Sequence, residues 1–308
     1  MKIAYLIAAH TDVNHLEKLI IALNTEDVVF FIHIDKKTDI NPFMDKLSNF
    51  KNVFVLKKRI KTYWGGYSQC KYQYELIDEC VESKIKFDYA FFLSGLDYPL
   101  WSNGKIKDFL RNNLRKEFIQ GMNLTNCYTP PKMQTRVRLY HFRDLNIRNK
   151  FLYRCIYGCM REFLKCVHIV KKNYLIVDKT RKDVYCGSSW WCLSYDCIEY
   201  IHTVLSDKNN AYTKYFKTCL APDELLIQTI VFNSRFKDKA LLYEGDYPGL
   251  VNLTPLHYIE YADKIAVYSE QDFDKLISSG KMFCRKLQTG VSDKLIEMIN
   301  NYRNESGN

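Results

Sequence analysis

Residues 2–37 read KIAYLIAAHTDVNHLEKLIIALNTEDVVFFIHIDKK, and this stretch decides the fold. One apolar run, Lys2–Ala9, ends at His10, and a second, Val28–Ile34, ends at Asp35. Between the two runs, apolar residues recur at the spacing of one helical face, at Val13, Leu16, Leu19, Ile20 and Leu23. The stretch therefore predicts a strand, a helix and a second strand.

The same alternation continues to about residue 97. The pattern predicts a short strand over Asn52–Leu56, a helix over Tyr67–Lys84 and a strand over Asp88–Leu93. Buried runs separated by helices favour an α/β fold with a mostly parallel central sheet and helices on both faces. Ligands bind outside the carboxyl ends of the strands in such sheets. The polar residues that follow the strands are therefore the first candidates for a site.

The second half of the chain is less regular. Its patterns predict strands over Glu117–Leu124 and Tyr185–Leu193, and helices from Pro222 to about Phe232, near Gln271–Ser279 and over Val291–Tyr302. The sequence shows neither an internal repeat nor a Pro/Gly/Ser-rich linker. We therefore expect a single catalytic domain over residues 1–308, with an insertion at about 143–182.

Composition limits the classes of protein to consider. The chain has 308 residues, 47% hydrophobic and 26% charged, which is ample for a large core and argues against wholesale disorder. Its eleven cysteines are odd in number, lack paired CxxC motifs and follow no signal-peptide pattern. We therefore expect a reducing, cytoplasmic location without structural zinc. The longest apolar run is too short to span a bilayer.

The net charge of +10 calls for an anionic partner, and residues 143–182, the basic insertion, contain eleven Lys/Arg against three Asp/Glu. Aromatic and aliphatic residues recur among these cations at helical spacing. Such a segment is typical of a surface that rests on anionic lipid, at the inner face of a membrane in this compartment. A helix that packs its apolar face on the main domain explains the pattern equally well. Nucleic acid and a phosphate-bearing substrate are further explanations of the charge.

The common nucleotide and hydrolase signatures are missing, but six motifs occur in an informative order. They are FIHIDKK (31–37), WGGYS (64–68), LSGLDYPL (93–100), GSSWW (187–191), PDE (222–224) and FCRK (283–286). From about Ile3 to Leu287 the sequence resembles the core-2/I-branching glycosyltransferases, which include β-1,6-N-acetylglucosaminyltransferases and peptide O-xylosyltransferases. The resemblance implies an A-type glycosyltransferase (GT-A) fold with a Rossmann-like sheet, a UDP-sugar donor, inversion at the anomeric carbon and no divalent metal or other cofactor.

The nucleotide side of the site is expected at the ends of the first two strands. A carboxylate at Asp35 can accept hydrogen bonds from ribose or uracil, and in the family this segment contacts the nucleotide together with Ala9 and His10. Trp64 stands before two glycines and a predicted helix, where backbone can approach a ligand closely. The alternatives are that Asp35 caps a turn and that Trp64 belongs to the core.

Asp97 lies where many metal-dependent glycosyltransferases place a DxD motif, but no second carboxylate stands two residues away. A single carboxylate is a poor site for a divalent ion. We therefore expect Asp97 to contact the nucleotide without a metal. Asp272-Phe273-Asp274 matches DxD, yet it lies at a predicted helix start, where acidic residues are common. We assign it no metal.

Without a metal, fixed cations must stabilise the charge of the departing UDP. The resemblance assigns this role to Arg285 and Lys286. Lys264 lies near the position of a second diphosphate-binding arginine in the family, although a solvated surface lysine explains it equally well.

Glu224 is the candidate base. Pro222 favours the first turn of a helix, which places Asp223 and Glu224 among free backbone amides. A structural explanation is an acid that favours the helix dipole, but a capping box would need Ser or Thr at position 221, which is Ala. One carboxylate suffices for an inverting transfer. Asp223 is the less favoured base.

The resemblance also implies acceptor contacts from charged residues before the GSSWW motif and from an aromatic residue before the FCRK motif. The corresponding residues are Arg136, Arg138 and Tyr261; the family typically has Trp where Tyr261 stands, so acceptor stacking differs here. Trp190 and Trp191 either form an aromatic wall beside the acceptor or belong to the core.

Two hypotheses follow. The first is a metal-independent, inverting transferase that moves N-acetylglucosamine or xylose from UDP to a glycan or lipid-linked glycan, as in surface polysaccharide synthesis. The second is a non-catalytic membrane- or nucleic-acid-associated scaffold on a degenerate transferase fold. The retention of Asp35, Glu224 and Lys286 together favours the first hypothesis, with no nucleic-acid partner.

Overall fold

The central sheet is built on the predicted first strand. The computed structural model describes residues 1–126, 130–145, 147, 149–167, 169–207, 209–260 and 265–305. The strands are β1 (Ile3–Ala9), β2 (Val28–Ile34), β3 (Val53–Val55), β4 (Tyr89–Ser94), β5 (Asp97–Pro99), β6 (Gln120–Asn123), β7 (Tyr174–Val177), β8 (Thr180–Asp183), β9 (Tyr185–Cys186), β10 (Cys192–Ser194), β11 (Leu241–Tyr243), β12 (His257–Ile259) and β13 (Phe283–Arg285).

The helices surround this sheet. They are α1 (Val13–Leu23), α2 (Asn41–Leu47), α3 (Ser68–Glu82), α4 (Asn103–Asn112), α5 (Pro131–Arg138), α6 (Lys150–Cys166), α7 (Tyr195–Ser206), α8 (Ala211–Phe216), α9 (Leu226–Phe232), α10 (Phe273–Ser278) and α11 (Asp293–Glu305). Short 3₁₀ turns occupy Pro222–Glu224, Lys237–Lys239, Val251–Leu253 and Glu270–Asp272. None of the helices in the described ranges has the length and apolar character needed to cross a bilayer.

The main sheet has the strand order β10-β4-β1-β2-β3. β1 pairs in parallel with β2 and with β4, and β2 pairs in parallel with β3, while β10 runs antiparallel to β4. Alternate residues of each strand point to opposite faces, so Tyr5 and Phe30 join one core and Leu6 and Phe31 the other. α1 covers the first face and α3 the second. The predicted α/β class, with a mostly parallel sheet and helices on both faces, is confirmed.

A smaller sheet fixes the FCRK motif beside the main sheet. β13 pairs with β12 in parallel and with β5 antiparallel, and its register sets Arg285 opposite Asp97. The two segments are far apart in the sequence. The strand pairing brings a cation to the end of β4, which no local pattern indicates.

Two predicted elements need correction. The single strand expected over Tyr185–Leu193 is two short strands in different sheets, because β9 pairs with β6 whereas β10 pairs with β4. The GSSW segment turns between them, and a Cβ added to Gly187 would lie 2.0 Å from the carbonyl oxygen of Gln120, which leaves room for glycine alone. The helix expected from Pro222 to Phe232 is a 3₁₀ turn followed by α9.

The basic insertion forms α6 and the β7–β8 hairpin. Residues of α6 at the spacing of one helical face are exposed: Leu152, Cys155, Cys159, Phe163 and Cys166. On the opposite side Tyr157 is buried, and its hydroxyl lies 2.8 Å from Nδ1 of His141. The helix therefore packs the side that carries Tyr157 on the rest of the chain and exposes Phe151 and Phe163, so both expectations for this segment stay predictions.

Candidate active site

A cleft of about 400 Å³ opens at the carboxyl ends of the parallel strands. It collects residues that are widely separated in the sequence, as expected for a sheet of this topology. The predicted site residues that line it are Ala9, His10, Asp35, Trp64, Trp190, Glu224 and Arg285. It is also lined by Gln69, Tyr72, Ser189 and Asp223, which sequence reasoning did not assign to the site.

On the nucleotide side, Asp35 does two things. Its carboxylate lies in the cleft, and its Oδ1 accepts a hydrogen bond from the backbone N–H of Lys37 at 2.8 Å. The turn-capping explanation and the ligand-binding explanation are thus compatible. Trp64, by contrast, is not a core residue, because 78% of its surface is exposed at the edge of the cleft. Its ring is available to stack on a ligand.

His33 is buried behind this side of the cleft. Its Nε2 accepts a hydrogen bond from the backbone N–H of Ile60 at 2.8 Å, which requires the neutral ring with its proton on Nδ1. Burial lowers the pKa of His33 to about 4, with Asp35 opposing the shift. The imidazole is therefore uncharged at neutral pH and serves the fold.

The WGGYS turn is joined directly to the PDE turn. Gly65 adopts a positive φ of 72°, and its carbonyl oxygen accepts a hydrogen bond from the backbone N–H of Ala221 at 2.9 Å. Ala221 itself has a φ of 47°, in the left-handed region that non-glycine residues rarely adopt. This conformation precedes the 3₁₀ turn that turns Glu224 into the cleft.

Glu224 is held by an ion pair. Its Oε2 lies 2.5 Å from Nη2 of Arg136, and the side chain of Glu224 retains 19% exposure against 11% for that of Arg136. Arg136 also donates to the carbonyl oxygens of Leu220 and Ala221. The guanidinium of Arg136 thus fixes the Glu224 carboxylate and is not among the groups that line the cleft, and its predicted acceptor contact stays a prediction. Arg138 is exposed and is not among the residues that line the cleft either.

Asp223 lies beside Glu224. Burial, followed by repulsion from the Glu224 carboxylate, raises the pKa of Asp223 to about 7, although hydrogen bonding from Ser189 and the charge of Arg136 oppose the shift. Two adjacent carboxylates in the same cleft thus have different environments. Glu224 has a cationic partner at contact distance, whereas Asp223 has neutral donors only.

The cationic side of the cleft is formed by Arg285. Its Nη1 donates to Oδ1 of Asp97 at 3.0 Å, and its guanidinium lies over the ring of Trp190, 4.9 Å from the centroid. The pKa of His10 is lowered mainly by burial, next by the charge of Arg285 and to a smaller extent by that of Lys286. Both cations of the FCRK motif therefore act on this end of the cleft.

Asp97, for which the sequence predicts a contact with the nucleotide, has no exposed surface and is not among the residues that line the cleft. Its Oδ2 accepts from the backbone N–H of Ser94 at 2.7 Å and lies 3.1 Å from Nε2 of His257. Burial alone would raise the pKa of Asp97, but His257 and Arg285 outweigh it and hold the pKa below its ordinary value. Asp97 is a positioning residue for Arg285.

Three further predictions concern residues away from this pair. Tyr261 and Lys264 lie outside the described residues. Asp272 caps the turn that begins α10, since its carboxylate accepts from the backbone N–H of Ser269 at 2.9 Å, which agrees with the structural role assigned to the DxD match. Within the described ranges no three His, Cys, Asp or Glu side chains cluster closely enough to hold a metal ion.

Comparison with known proteins gives a consistent result. The model of the family described as Core-2/I-Branching enzyme matches residues 3–245, well over half of the chain. The xylosyltransferase oxt of Drosophila pseudoobscura pseudoobscura is 26% identical, over 76% of this chain and 24% of its own length. A mouse protein named beta-1,3-galactosyl-O-glycosyl-glycoprotein beta-1,6-N-acetylglucosaminyltransferase 3 is 20% identical, over 97% of this chain and 67% of its own length. Rat xylosyltransferase 2 is 25% identical, over 97% of this chain and 33% of its own length. The chain thus spans between about a quarter and two thirds of these relatives.

Proposed function

The chain belongs to the Core-2/I-branching enzyme family, and from this premise we propose that it is an inverting glycosyltransferase with Glu224 as its base. It transfers N-acetylglucosamine or xylose from a UDP-sugar to a hydroxyl group of a glycan acceptor, as in the synthesis of a surface polysaccharide or glycoconjugate. The observation that carries the proposal is one cleft that holds a carboxylate fixed by Arg136 and a cation, Arg285, fixed by Asp97.

The reaction needs both groups at once. Glu224 accepts the proton of the acceptor hydroxyl while the hydroxyl oxygen forms a bond to the anomeric carbon from the face opposite UDP. The bond between the anomeric carbon and the β-phosphate oxygen breaks, and its electron pair leaves with UDP. Arg285 and Lys286 stabilise the negative charge that grows on the diphosphate. Because the attacking oxygen and the leaving oxygen lie on opposite faces, the configuration inverts.

The UDP moiety is assigned to the strand ends. Asp35 accepts hydrogen bonds from the ribose or uracil, the exposed Trp64 ring stacks on the nucleotide, and Ala9 and His10 contribute the floor of the cleft. The order nucleotide, diphosphate, sugar then runs from Asp35 past Arg285 towards Glu224.

We further propose that transfer requires no divalent metal. The support is the environment of Asp97, whose two carboxylate oxygens are occupied by Arg285, His257 and the backbone of Ser94. A cation at this position would displace Arg285 from its partner. Turnover is therefore expected to be unchanged by EDTA; loss of turnover in EDTA that manganese restores would overturn this point.

The decisive test is Glu224→Gln, measured as transfer from UDP-N-acetylglucosamine and UDP-xylose to a panel of glycan acceptors. Loss of the base is expected to lower kcat by about 10²–10⁴-fold. The uncharged amide keeps the shape of the side chain beside Arg136, and UDP affinity, which does not depend on the base, reports that the cleft is intact. Glu26→Gln, at an exposed position, is the matched control. Full activity of Glu224→Gln with a confirmed donor and acceptor would refute the assignment.

The partner of the basic insertion is a finer proposal, an anionic membrane surface. Phe151 and Phe163 of α6 are 77% and 65% exposed, and Arg154, Lys172 and Lys179 are exposed in the same insertion. An amphipathic helix of this kind buries its apolar side chains at the headgroup boundary while neighbouring cations contact anionic lipid. This location would place the cleft next to lipid-linked acceptors.

Vesicle pelleting tests this proposal. The wild-type chain is expected to bind vesicles containing phosphatidylglycerol more strongly than vesicles of phosphatidylcholine alone, with binding weakened by salt. Phe151→Glu/Phe163→Glu should abolish binding. Ile21→Glu/Met44→Glu makes the same charge change at exposed apolar positions elsewhere and should retain it. Equal loss in both double variants, or concentration-dependent dimerisation through α6 in place of vesicle binding, would contradict it. Salt-dependent DNA binding without UDP binding would instead favour the scaffold hypothesis.

A further inference from the structure

Asp223 is a buried residue in the lining of the cleft, and one of its carboxyl oxygens is unpaired among the described residues. Its Oδ2 accepts hydrogen bonds from Oγ of Ser189 at 2.8 Å and from Nε2 of Gln69 at 3.1 Å. Its Oδ1 is enclosed by protein and has no hydrogen-bond partner among the described residues. All three residues line the cleft. A buried polar oxygen without a partner is unusual, and in a binding cleft the natural partner is a group of the ligand.

The position of Asp223 indicates which part of the substrate it meets. Asp223 directly precedes Glu224 in the chain. Its hydrogen-bond partner Ser189 directly precedes Trp190, and the guanidinium of Arg285 lies over the Trp190 ring. The Asp223 carboxyl therefore lies beside the base and next to the support of the diphosphate-binding cation. In a transfer, the sugar that changes partners lies between the base and the leaving diphosphate.

We infer that Asp223, Ser189 and Gln69 form the subsite for the transferred sugar, with the Asp223 carboxyl hydrogen-bonded to one of its ring hydroxyls. The inference rests on the proposed function and adds to it a specificity-determining residue that is not the base. A sugar hydroxyl both donates and accepts, so it can satisfy the enclosed oxygen in either protonation state.

The electrostatics agree with this geometry. The pKa of Asp223, raised to about 7 by burial and by the neighbouring Glu224, means that both protonation states are populated near neutral pH. The protonated carboxyl can donate to a hydroxyl and the ionised carboxylate can accept from one.

The test compares the affinities of Asp223→Asn and the wild type for UDP and for intact UDP-sugar by calorimetry. Asn keeps the shape and a hydrogen-bonding group towards Ser189 and Gln69 but removes the carboxyl. UDP affinity is expected to be unchanged, whereas affinity for the cognate UDP-sugar falls about tenfold or more, since a hydrogen bond to a charged group is lost. Equal affinities of variant and wild type for UDP-sugar, or equal weakening of UDP and UDP-sugar, would overturn the inference.

A double-mutant cycle makes the assignment specific. The affinities of donor analogues that each lack one ring hydroxyl are measured for the wild type and for Asp223→Asn. For one of these analogues, the wild type should bind about tenfold more weakly than it binds the parent donor, whereas Asp223→Asn should bind the analogue and the parent donor equally. Losses that simply add for every analogue would refute the contact. Ser189→Ala, which removes one donor to Oδ2, should show a smaller loss in the same direction. If the wild type binds no UDP at all, the proposed function fails; if UDP binds and the cycle shows no coupling, only the subsite fails.

Discussion

Replacing Asp97 by Asn tests whether a residue that touches no substrate controls donor binding. Asp97 has no exposed surface and accepts hydrogen bonds from Ser94 and Arg285, with His257 at 3.1 Å. The substitution keeps the shape of the side chain but leaves Arg285 without a charged partner. Two quantities should therefore change together, the free energy of unfolding and the affinity for UDP.

Breaking a buried ion pair by removing one partner costs about 3–5 kcal/mol. At roughly 2 °C per kcal/mol for a chain of this size, the melting temperature of Asp97→Asn should fall by about 6–10 °C. In the variant, Arg285 loses the contact that orients it towards the diphosphate. If this weakens one charged hydrogen bond to UDP by about 1.4 kcal/mol, UDP should bind about tenfold more weakly. Calorimetric unfolding and UDP titration at pH 7–8 measure both effects. The pKa of Asp97 is held below the ordinary value of an aspartate, so the carboxylate is ionised at the assay pH, and its contribution would be lost only under strongly acidic conditions.

Asp272→Asn is the matched control. Asp272 also pairs with a cation, Lys275 at 2.9 Å, but it does so at the surface. It should cost at most about 1 kcal/mol and leave UDP affinity unchanged. A melting temperature of Asp97→Asn within about 2 °C of the wild type, together with unchanged UDP affinity, would refute the argument that Asp97 holds Arg285 in place.

Three further predictions use matched pairs or a single site. Trp64→Ala should leave the melting temperature unchanged but weaken UDP binding about tenfold, because the exposed ring of Trp64 is proposed to stack on the nucleotide. Trp191→Ala removes a fully buried ring and should lower the free energy of unfolding by about 3–5 kcal/mol. Equal stability of the two variants would contradict the difference in burial. Gly187→Ala should lower the free energy of unfolding, measured by chemical denaturation, by about 1–3 kcal/mol, because the added Cβ would lie 2.0 Å from a backbone carbonyl oxygen. Gly104→Ala, at a helical position with open space, should raise it by about 0.5 kcal/mol. The free energy of unfolding should fall as the pH is lowered from about 6.5 to about 4, because His33 takes up a proton more readily in the unfolded chain than in the folded one. Denaturant titrations at several pH values should show that His33→Gln removes roughly 3 kcal/mol of this change. If the free energy of unfolding depends on pH equally in variant and wild type, the lowered pKa of His33 is refuted.

The sequence predicted those parts of the site that directly follow a clear strand. Asp35 and His10 follow continuous apolar runs with a helical pattern between them, so the parallel sheet places them at one edge. Glu224, which lines the cleft, is predicted to be the base because a proline, a motif and a missing cap partner coincide. The same kind of local signal predicted α3 and β4 to within two residues at each end.

The rest of the site depends on contacts that leave no local pattern. His257 and Asp97 are 160 residues apart and meet only because β12, β13 and β5 form one sheet. Gln69 reads as a polar position of a helix, and its contact with Asp223 follows from the packing of α3 against the Pro222–Glu224 turn. Ser189 belongs to the GSSWW motif, which was the one signal that could have assigned it.

Short elements failed for a related reason. α2 has seven residues of which two are buried, and the sequence pattern of so few positions does not differ from that of a loop. The segment from Tyr185 to Leu193 has a strand-like pattern because the residues of both of its short strands are largely buried. Its division between two sheets is imposed by Gly187, whose close approach to Gln120 a one-dimensional pattern does not reveal.

The distribution of thiols makes α6 accessible to spectroscopy. Of the ten cysteines in the described ranges, Cys155, Cys159 and Cys166 are exposed, and the other seven are buried in the core. Among these ten thiols, a thiol-reactive fluorophore or spin label applied to the folded protein should therefore react mainly with those of a single helix. Retaining one of the three thiols at a time would give a set of probes at known spacing along the helix axis. Their depth in a bilayer, measured with quenchers placed at different positions of the lipid chain, would test the proposed membrane contact and give the angle of α6 to the bilayer.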